Sequence, residues 1–413
     1  MTSTQTATQP GALDDAGLRR VVVVLSTVQI VSWGCLYYAF AALQSSVIAE
    51  TGWSGVAVTG AFSLAQVVSA VAGLWVGRHI DAHGPRAVMT FASLLAVPGL
   101  LGVALAPTLP WFYAGWVLVG AAMAGTLYPP AFAALTRWGG SRRIGALTTL
   151  TLVAGLASTV FAPLASVLDD LVGWRLAYML LLGGLVVITA PLHWWGLNEP
   201  WEQSSGTRRE PYGSTAQTAG AVTRSRAFRC LMVANTLTAL AVFAVVINLV
   251  PMLVEQGMSR DRAAMALGLG GLGQVAGRLG YARFARSTTL VVRAVLVGAC
   301  VAVATAALAL APATDGWLVT VGMLLGLARG IYTLVQATAI TDRWSSASYG
   351  KLNGVLTAPA LFAAAAAPFV GAGLADLLGS HAHAFLLLAG TSAVAAVLML
   401  WSIPAPADPS LPA

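Results

Sequence analysis

Two arginines of this chain sit inside long apolar runs, Arg278 in GQVAGRLGYARF and Arg329 in LLGLARGIYTLVQ. A guanidinium at membrane depth is costly to hold, so it faces a protein interior and keeps a partner there. Its planar fork of donors matches a carboxylate or phosphate. The chemistry on offer is recognition of an organic anion. The plainer alternatives are a stem laid toward the headgroups for Arg278 and a bond to backbone carbonyls for Arg329. Neutral partners stand at similar depth: Tyr37, Tyr38, Tyr128 ahead of Pro129-Pro130, Asn248, Gln274 and Tyr332. With the two arginines they make the candidate substrate-binding set. Gln29, Ser32, Trp33 and Asn235 are further polar or aromatic positions in the same runs. Neighbouring helical residues point about 100° apart, so at least one of Tyr37 and Tyr38 faces inward.

The acids point the same way. Glu50, Asp169, Asp170, Glu255, Asp261, Asp315 and Asp376 fall at one set of run ends, and Asp81 and Asp342 at the other. None is central. A positive cavity without a central carboxylate favours an anion over a cation and leaves a proton open as the coupling ion. No nucleophile has a base at its own depth, and no phosphate-cradling loop occurs, which argues against an enzyme or an ATP-driven pump. Cys35, Cys230 and Cys300 lack metal-ligand spacing, and His79 and His83 have only Asp81 between them. The expectation is no catalytic centre, no metal and no cofactor.

Composition says what must position these residues. Of 413 residues, 58% are hydrophobic and 9% charged, whereas soluble chains carry roughly 25% charged residues. Apolar runs long enough to span a bilayer recur along the chain. Twelve spans are expected, near 21–47, 56–77, 87–106, 111–135, 144–168, 176–197, 228–254, 263–282, 290–311, 317–340, 352–374 and 384–403. The fold class is thus an all-α membrane protein, twelve transmembrane helices in two pseudo-symmetric six-helix bundles. The expected domains are an N-terminal tail at 1–18, a first bundle at 19–197, a cytoplasmic linker at 198–227, a second bundle at 228–403 and a tail at 404–413. Met1–Gly17 does not read as a cleaved signal peptide.

With both termini inside, seventeen of the 22 Lys and Arg fall on the cytoplasmic side, three outside and two at depth. That bias sets orientation, in a cell (inner) membrane. The partners expected are the lipid bilayer and a small-molecule substrate, with no nucleic acid, for a monomer. Trp138 and Trp344 are 206 apart, Pro163 and Pro368 205, Gly73 and Gly277 204, which argues for duplicated halves with a binding site at their interface.

After the second span comes GLWVGRHIDAHGPRAVM, in which Gly77, Asp81, Gly84 and Arg86 form G-x-x-x-D-x-x-G-x-R. Small residues and a carboxylate at a helix junction read as a gating latch, with Asp81 placed to accept from a helix N-terminus or a neighbouring arginine. After Gly277 the chain reads RLGYARFARS, with no acid at the matching place.

On that loop and its position the chain resembles the major facilitator superfamily of secondary transporters. Gly52–Arg86, the GWR at Gly173–Arg175 and Arg278 resemble the monocarboxylate and oxalate–formate type of carrier, whose span 8 arginine binds substrate. Two departures bear on this. Animal monocarboxylate carriers have Asp where this chain has Gln274, and a lysine in span 1, which here is uncharged. Span 11 lacks the internal lysine of the oxalate carrier, since Lys351 lies at its entrance. The resemblance implies transport of a monocarboxylate-like anion by alternating access. Similar bacterial sequences include exporters of toxic species such as arsenicals, so efflux of a neutral or amphipathic compound is the alternative.

Overall fold

The computed structural model describes residues 13–201, 219–310, 314–340, 342–344 and 349–404. Most of the expected linker and of both tails lies outside these residues. The described regular structure is helical. In the first half α1 is Asp15–Thr51, α2 Gly55–His83, α3 Pro85–Ala104 and α4 Leu109–Trp138. One run, Arg143–Gly196, holds α5 (143–172) and α6 (174–196). In the second half α7 is Arg226–Glu255, α8 Arg260–Ser287, α9 Leu290–Leu310, α10 Asp315–Thr338, α11 Tyr349–Leu378 and α12 His381–Met399.

Local chemistry sets these boundaries. Asp14 starts α1 by accepting from Gly17 N at 2.8 Å, and Ser225 starts α7 by accepting from Phe228 N at 3.2 Å. Each hydroxyl or carboxylate satisfies an amide that the first helical turn leaves unpaired. Pro85 opens α3, where its missing N–H costs nothing. The break between α5 and α6 is Gly173, at φ 77°, a conformation that penalises a side chain. The run begins where Arg142 pairs with Asp15 and ends where Glu199 pairs with Arg20. Both ends lie beside the start of α1, so the chain reverses at Gly173. Next to it Arg175 donates to Ala104 O at 2.7 Å and Ala106 O at 3.2 Å, satisfying carbonyls where α3 ends.

Ten helical runs among the described residues are long and apolar enough to cross a membrane. The Arg143–Gly196 run supplies two spans. Helix α8 is not one of the ten. Its 28 residues suffice in length, but Gln274, Arg278 and glycines at 268, 270, 271, 273, 277 and 280 dilute its apolar character.

Contacts divide the chain into two compact units. The first comprises the described residues of Met1–Ala39, Ala65–Ala157 and Leu168–Thr207; the second those of Phe40–Leu64, Ser158–Val167 and Arg208–Ala413. Two stretches from the first half of the sequence, 40–64 and 158–167, therefore join the second unit. In the first unit α3 and α4 meet through small residues, and an added Cβ on Gly115 would lie 2.7 Å from Val103 N. Leu25, Met89, Leu135, Trp138, Leu150 and Leu197 form a buried cluster nearby.

In the second unit α8 and α10 meet along a glycine seam. A Cβ on Gly273 or Gly277 would overlap the carbonyl oxygen of Met323 or Leu327; on Gly326 or Gly330, that of Gly270 or Gln274. In lipid, helices gain little from apolar surface alone and associate by such close packing. The two transferred stretches are held by hydrogen bonds. In α1, Gln44 Nε2 donates to Ile247 O of α7. Ser63 Oγ of α2 accepts from Phe369 N of α11 at 3.0 Å, next to Pro368 inside that helix. In α5, Thr159 Oγ1 donates to Gly268 O and Ser166 Oγ to Asp261 Oδ1 of α8, both at 2.8 Å.

Candidate functional site

In the first unit the polar and aromatic positions of α1 converge on a break in its own ladder. Gly34–Tyr38 is a π turn, and Ala39 N donates to Gly34 O five residues back. Such turns rotate the following side chains and recur at functional sites. Here both Tyr37 and Tyr38 are buried and lean on Trp33, with ring centroids 5.2 Å and 6.4 Å away. Tyr128, at the start of the helical segment after Leu127, closes on Trp33 at 5.0 Å and stacks on Phe132 at 5.1 Å. The α4 break falls where Pro129 and Pro130 cannot donate. Gln29 ties the cluster down: its Oε1 accepts from Trp33 Nε1 at 3.1 Å and its Nε2 donates to Thr126 O at 2.8 Å. The set is an aromatic wall with a fixed amide behind it.

In the second unit the candidates gather at the α8–α10 seam. Arg278 follows Gly277 and Arg329 precedes Gly330, so each arginine is next to a glycine whose missing side chain lets the helices touch. Both are partly exposed. Gln274 is buried, and its own carbonyl forms the surface against Gly330. Tyr332 OH donates to Asn235 Oδ1 at 2.7 Å, linking α10 to α7. Asn248 Nδ2 donates to Ala244 O at 2.9 Å and Pro368 O at 3.4 Å, in the α7–α11 contact. Tyr332 and Asn248 thus bond to backbone and side-chain groups of α7 and α11, and each arginine is next in sequence to a seam glycine.

The latch is shorter than its sequence pattern implies. Helix α2 runs to His83, so Gly77, His79 and Asp81 are helical and Gly84, at φ 83°, makes the turn. A Cβ on Gly77 would meet nothing within 4 Å, whereas one on Gly84 would lie 3.0 Å from Trp201 Cγ. Arg86 turns away from Asp81. Its Nε donates to Trp194 O and its Nη1 to Asn198 Oδ1, each at 2.6 Å, with the guanidinium 4.2 Å from the Trp194 ring centre. In the second unit Arg293, at the start of α9 as Arg86 is at the start of α3, pairs with Asp342, beyond α10, at 3.2 Å. The neighbouring Arg343 donates to Ser402 O at 2.9 Å; burial pulls its pKa down to about 10, with Asp342 opposing and Arg293 adding to the shift. The acid missing from the second signature loop is supplied instead from the far end of α10. Trp194 and Trp201 carried no signal in sequence, because a tryptophan near a span end is ordinarily an interface anchor.

Long apolar helices packed through glycine seams and joined by a tight α2–α3 turn describe a polytopic helical membrane fold. The profile of the Major Facilitator Superfamily matches residues 25–319, and the chain belongs to that superfamily. It is similar to monocarboxylate transporter 11 of Mus musculus, 25% identical over 343 residues, which cover 82% of this chain and 72% of that one. It is also similar to the oxalate:formate antiporter of Oxalobacter formigenes, 28% identical over 194 residues, 46% of this chain and 45% of that one. Among solved structures a mutant of the nucleoside transporter NupG superposes with a TM-score of 0.71 at 14% identity, covering 93% of this chain and 99% of that one. A bacterial homolog of the human lysosomal transporter Spinster, inward-facing and unoccupied, gives 0.65 at 15% identity, covering 94% and 96%. The last two likenesses concern the fold.

Proposed function

We propose that this chain moves a small organic anion of the monocarboxylate kind across the cell membrane by alternating access, both termini lying in the cytoplasm. The observation that carries the reading is the pair Arg278 and Arg329, both set along the glycine seam of α8 and α10. No carboxylate is central to any span in the sequence. Each arginine offers a carboxylate two parallel donors. The likeness to monocarboxylate transporter 11 and the oxalate:formate antiporter supports the substrate class. On this orientation Thr51, Gly55, Asp169 and Arg260 mark extracellular ends. The bonds from Gln44, Ser63, Thr159 and Ser166 then act as the extracellular gate, and Gly77, Asp81, Gly84 and Arg86 belong to the cytoplasmic one. The two six-helix bundles are the bodies whose rocking works these gates.

The test is ligand-dependent thermal stability of the purified protein across carboxylates, arsenicals and uncharged aromatic compounds. A ligand bound to the folded state raises its melting temperature by mass action. Carboxylates should stabilise the wild type and leave Arg278→Ala unmoved, with flux in liposomes lost in parallel. Carboxylate stabilisation that persists in Arg278→Ala removes the arginine from the site. A second reading has its own observation, the aromatic wall of Trp33, Tyr37, Tyr38 and Tyr128, which suits a neutral or amphipathic ring compound exported from the cell. Stabilisation by uncharged aromatics alone selects it.

A further inference from the structure

The segment leaving α6 does not simply trail into the linker. Arg20 pairs with Glu199, Trp138 Nε1 donates to Pro200 O at 3.0 Å, and Arg86 holds Trp194 O and Asn198 Oδ1. Trp201 lies on this segment, and its ring packs with two buried clusters at once, that of Trp138 and Leu135 and that of Val76 and Ile80. Trp201 Nε1 donates to Asp81 O at 3.2 Å, and its ring meets Trp138 edge-on at 5.5 Å. Arg137 lies over the same ring with its guanidinium carbon 5.0 Å from the centre. The indole thus occupies the ground between the α2–α3 turn and the end of α4. A cavity of about 390 Å³ opens beside it, lined by Asp81, Phe132, Ala133, Thr136, Arg137 and Trp201. Asp81 and Arg137 face this one cavity, yet they form no ion pair within 4 Å.

Asp81 and Arg137 carry opposite charges on one cavity, with the Trp201 ring under the Arg137 guanidinium and its Nε1 on the Asp81 carbonyl. We propose that Trp201 is a positioning residue, a wedge that holds Asp81 and Arg137 apart, and that its withdrawal lets them pair and locks the α2–α3 turn onto α4. The wedge rests on the gating reading above and adds its regulation. Gly84 is part of the device, since a side chain there would strike the indole.

The experiment is a double-mutant cycle on melting temperature, which needs no substrate. With Trp201 in place, the shifts of Asp81→Asn and Arg137→Gln add. In Trp201→Ala they stop adding, and the double variant melts no lower than either single one. Trp201→Phe, which keeps an aromatic plane, restores additivity. Additive shifts in all three backgrounds, or coupled shifts in all three, overturn the wedge. Should Trp201→Ala not fold, Trp138→Phe loosens the strap by deleting the bond to Pro200 O, and the cycle is repeated there. A cysteine at position 136, in a background whose native cysteines are replaced, gives a second readout. Its reaction with a charged thiol reagent slows severalfold when Trp201 is removed, and an unchanged rate counts against closure. If the cycle couples while flux is unaffected, the wedge stands and the gating reading falls. If flux changes while the cycle stays additive, the wedge falls.

Discussion

Replacing Gly326 by alanine puts a methyl group where the α8 backbone already is. The added Cβ overlaps the Gly270 carbonyl and stands 2.7 Å from its carbonyl carbon and 3.0 Å from its Cα. The obstacle is main chain, so no side chain can swing aside and the two helices must part. Overpacking of this kind costs about 1–3 kcal/mol, and alanine in a helix interior returns about 1 kcal/mol relative to glycine. The net expectation is a loss of up to about 2 kcal/mol. Gly322, one turn earlier on the same helix, is the internal control. Its added Cβ meets only Ala266 O, at 3.9 Å, so Gly322→Ala keeps the propensity gain without the overlap. The two variants differ by one methyl on one helix, yet should separate by about 1–3 kcal/mol. A domain of 150–250 residues moves by roughly 2–4 °C per kcal/mol, and this longer chain moves less. The expected order is Gly322→Ala at or above wild type and Gly326→Ala a few degrees below. Thermal unfolding in one detergent, followed by tryptophan fluorescence, measures it. If Gly326→Ala melts with Gly322→Ala, the α8–α10 seam is not as close as drawn, and the setting of Arg278 and Arg329 loses its basis.

Arg175→Gln leaves the Ala104 and Ala106 carbonyls without their donor and removes the guanidinium from the Trp174 face; it should cost about 1–3 kcal/mol in a melting assay. Tyr332→Phe strips the donor from Asn235 Oδ1, so stability should fall by about 1–2 kcal/mol while ligand-induced stabilisation persists; loss of the ligand effect alone would place Tyr332 in the site. Gln44→Leu breaks the α1–α7 tie at Ile247 O, and single cysteines near Thr51 and Ser166 should then react faster with membrane-impermeant thiol reagents; unchanged rates would deny these bonds a gating part.

Much of the fold was legible in sequence because a bilayer imposes rules that read linearly. Spanning helices need length and apolar character. The resemblance placed the chain in its superfamily, as the profile match then showed. Helix α8 was read as an apolar span near 263–282, and it does form a helix, although its glycines, Gln274 and Arg278 dilute its apolar character. Less visible were features that depend on what lies opposite. Gly73 and Gly277 match at one offset, but a Cβ on Gly73 meets nothing within 4 Å while one on Gly277 strikes Leu327 O. Identical residue types, identical spacing and different neighbours gave no linear signal.

The candidate residues divide in the same manner. Sequence alone determined which residue types stand at membrane depth, because a charge among apolar residues is conspicuous whatever surrounds it. Tertiary structure alone decided what they do there. The π turn brought both Tyr37 and Tyr38 against Trp33, where ideal helical geometry would have separated them. The Tyr332 hydroxyl was committed to Asn235, and Arg86 to the end of α6 rather than to Asp81. It also brought Trp201 onto the Asp81 carbonyl and against the Arg137 guanidinium, residues 120 and 64 positions away in the chain. Periodicity and hydropathy report a residue's relation to solvent and to its own helix. The partner across a packed seam is fixed by how whole helices dock, and that information is not local.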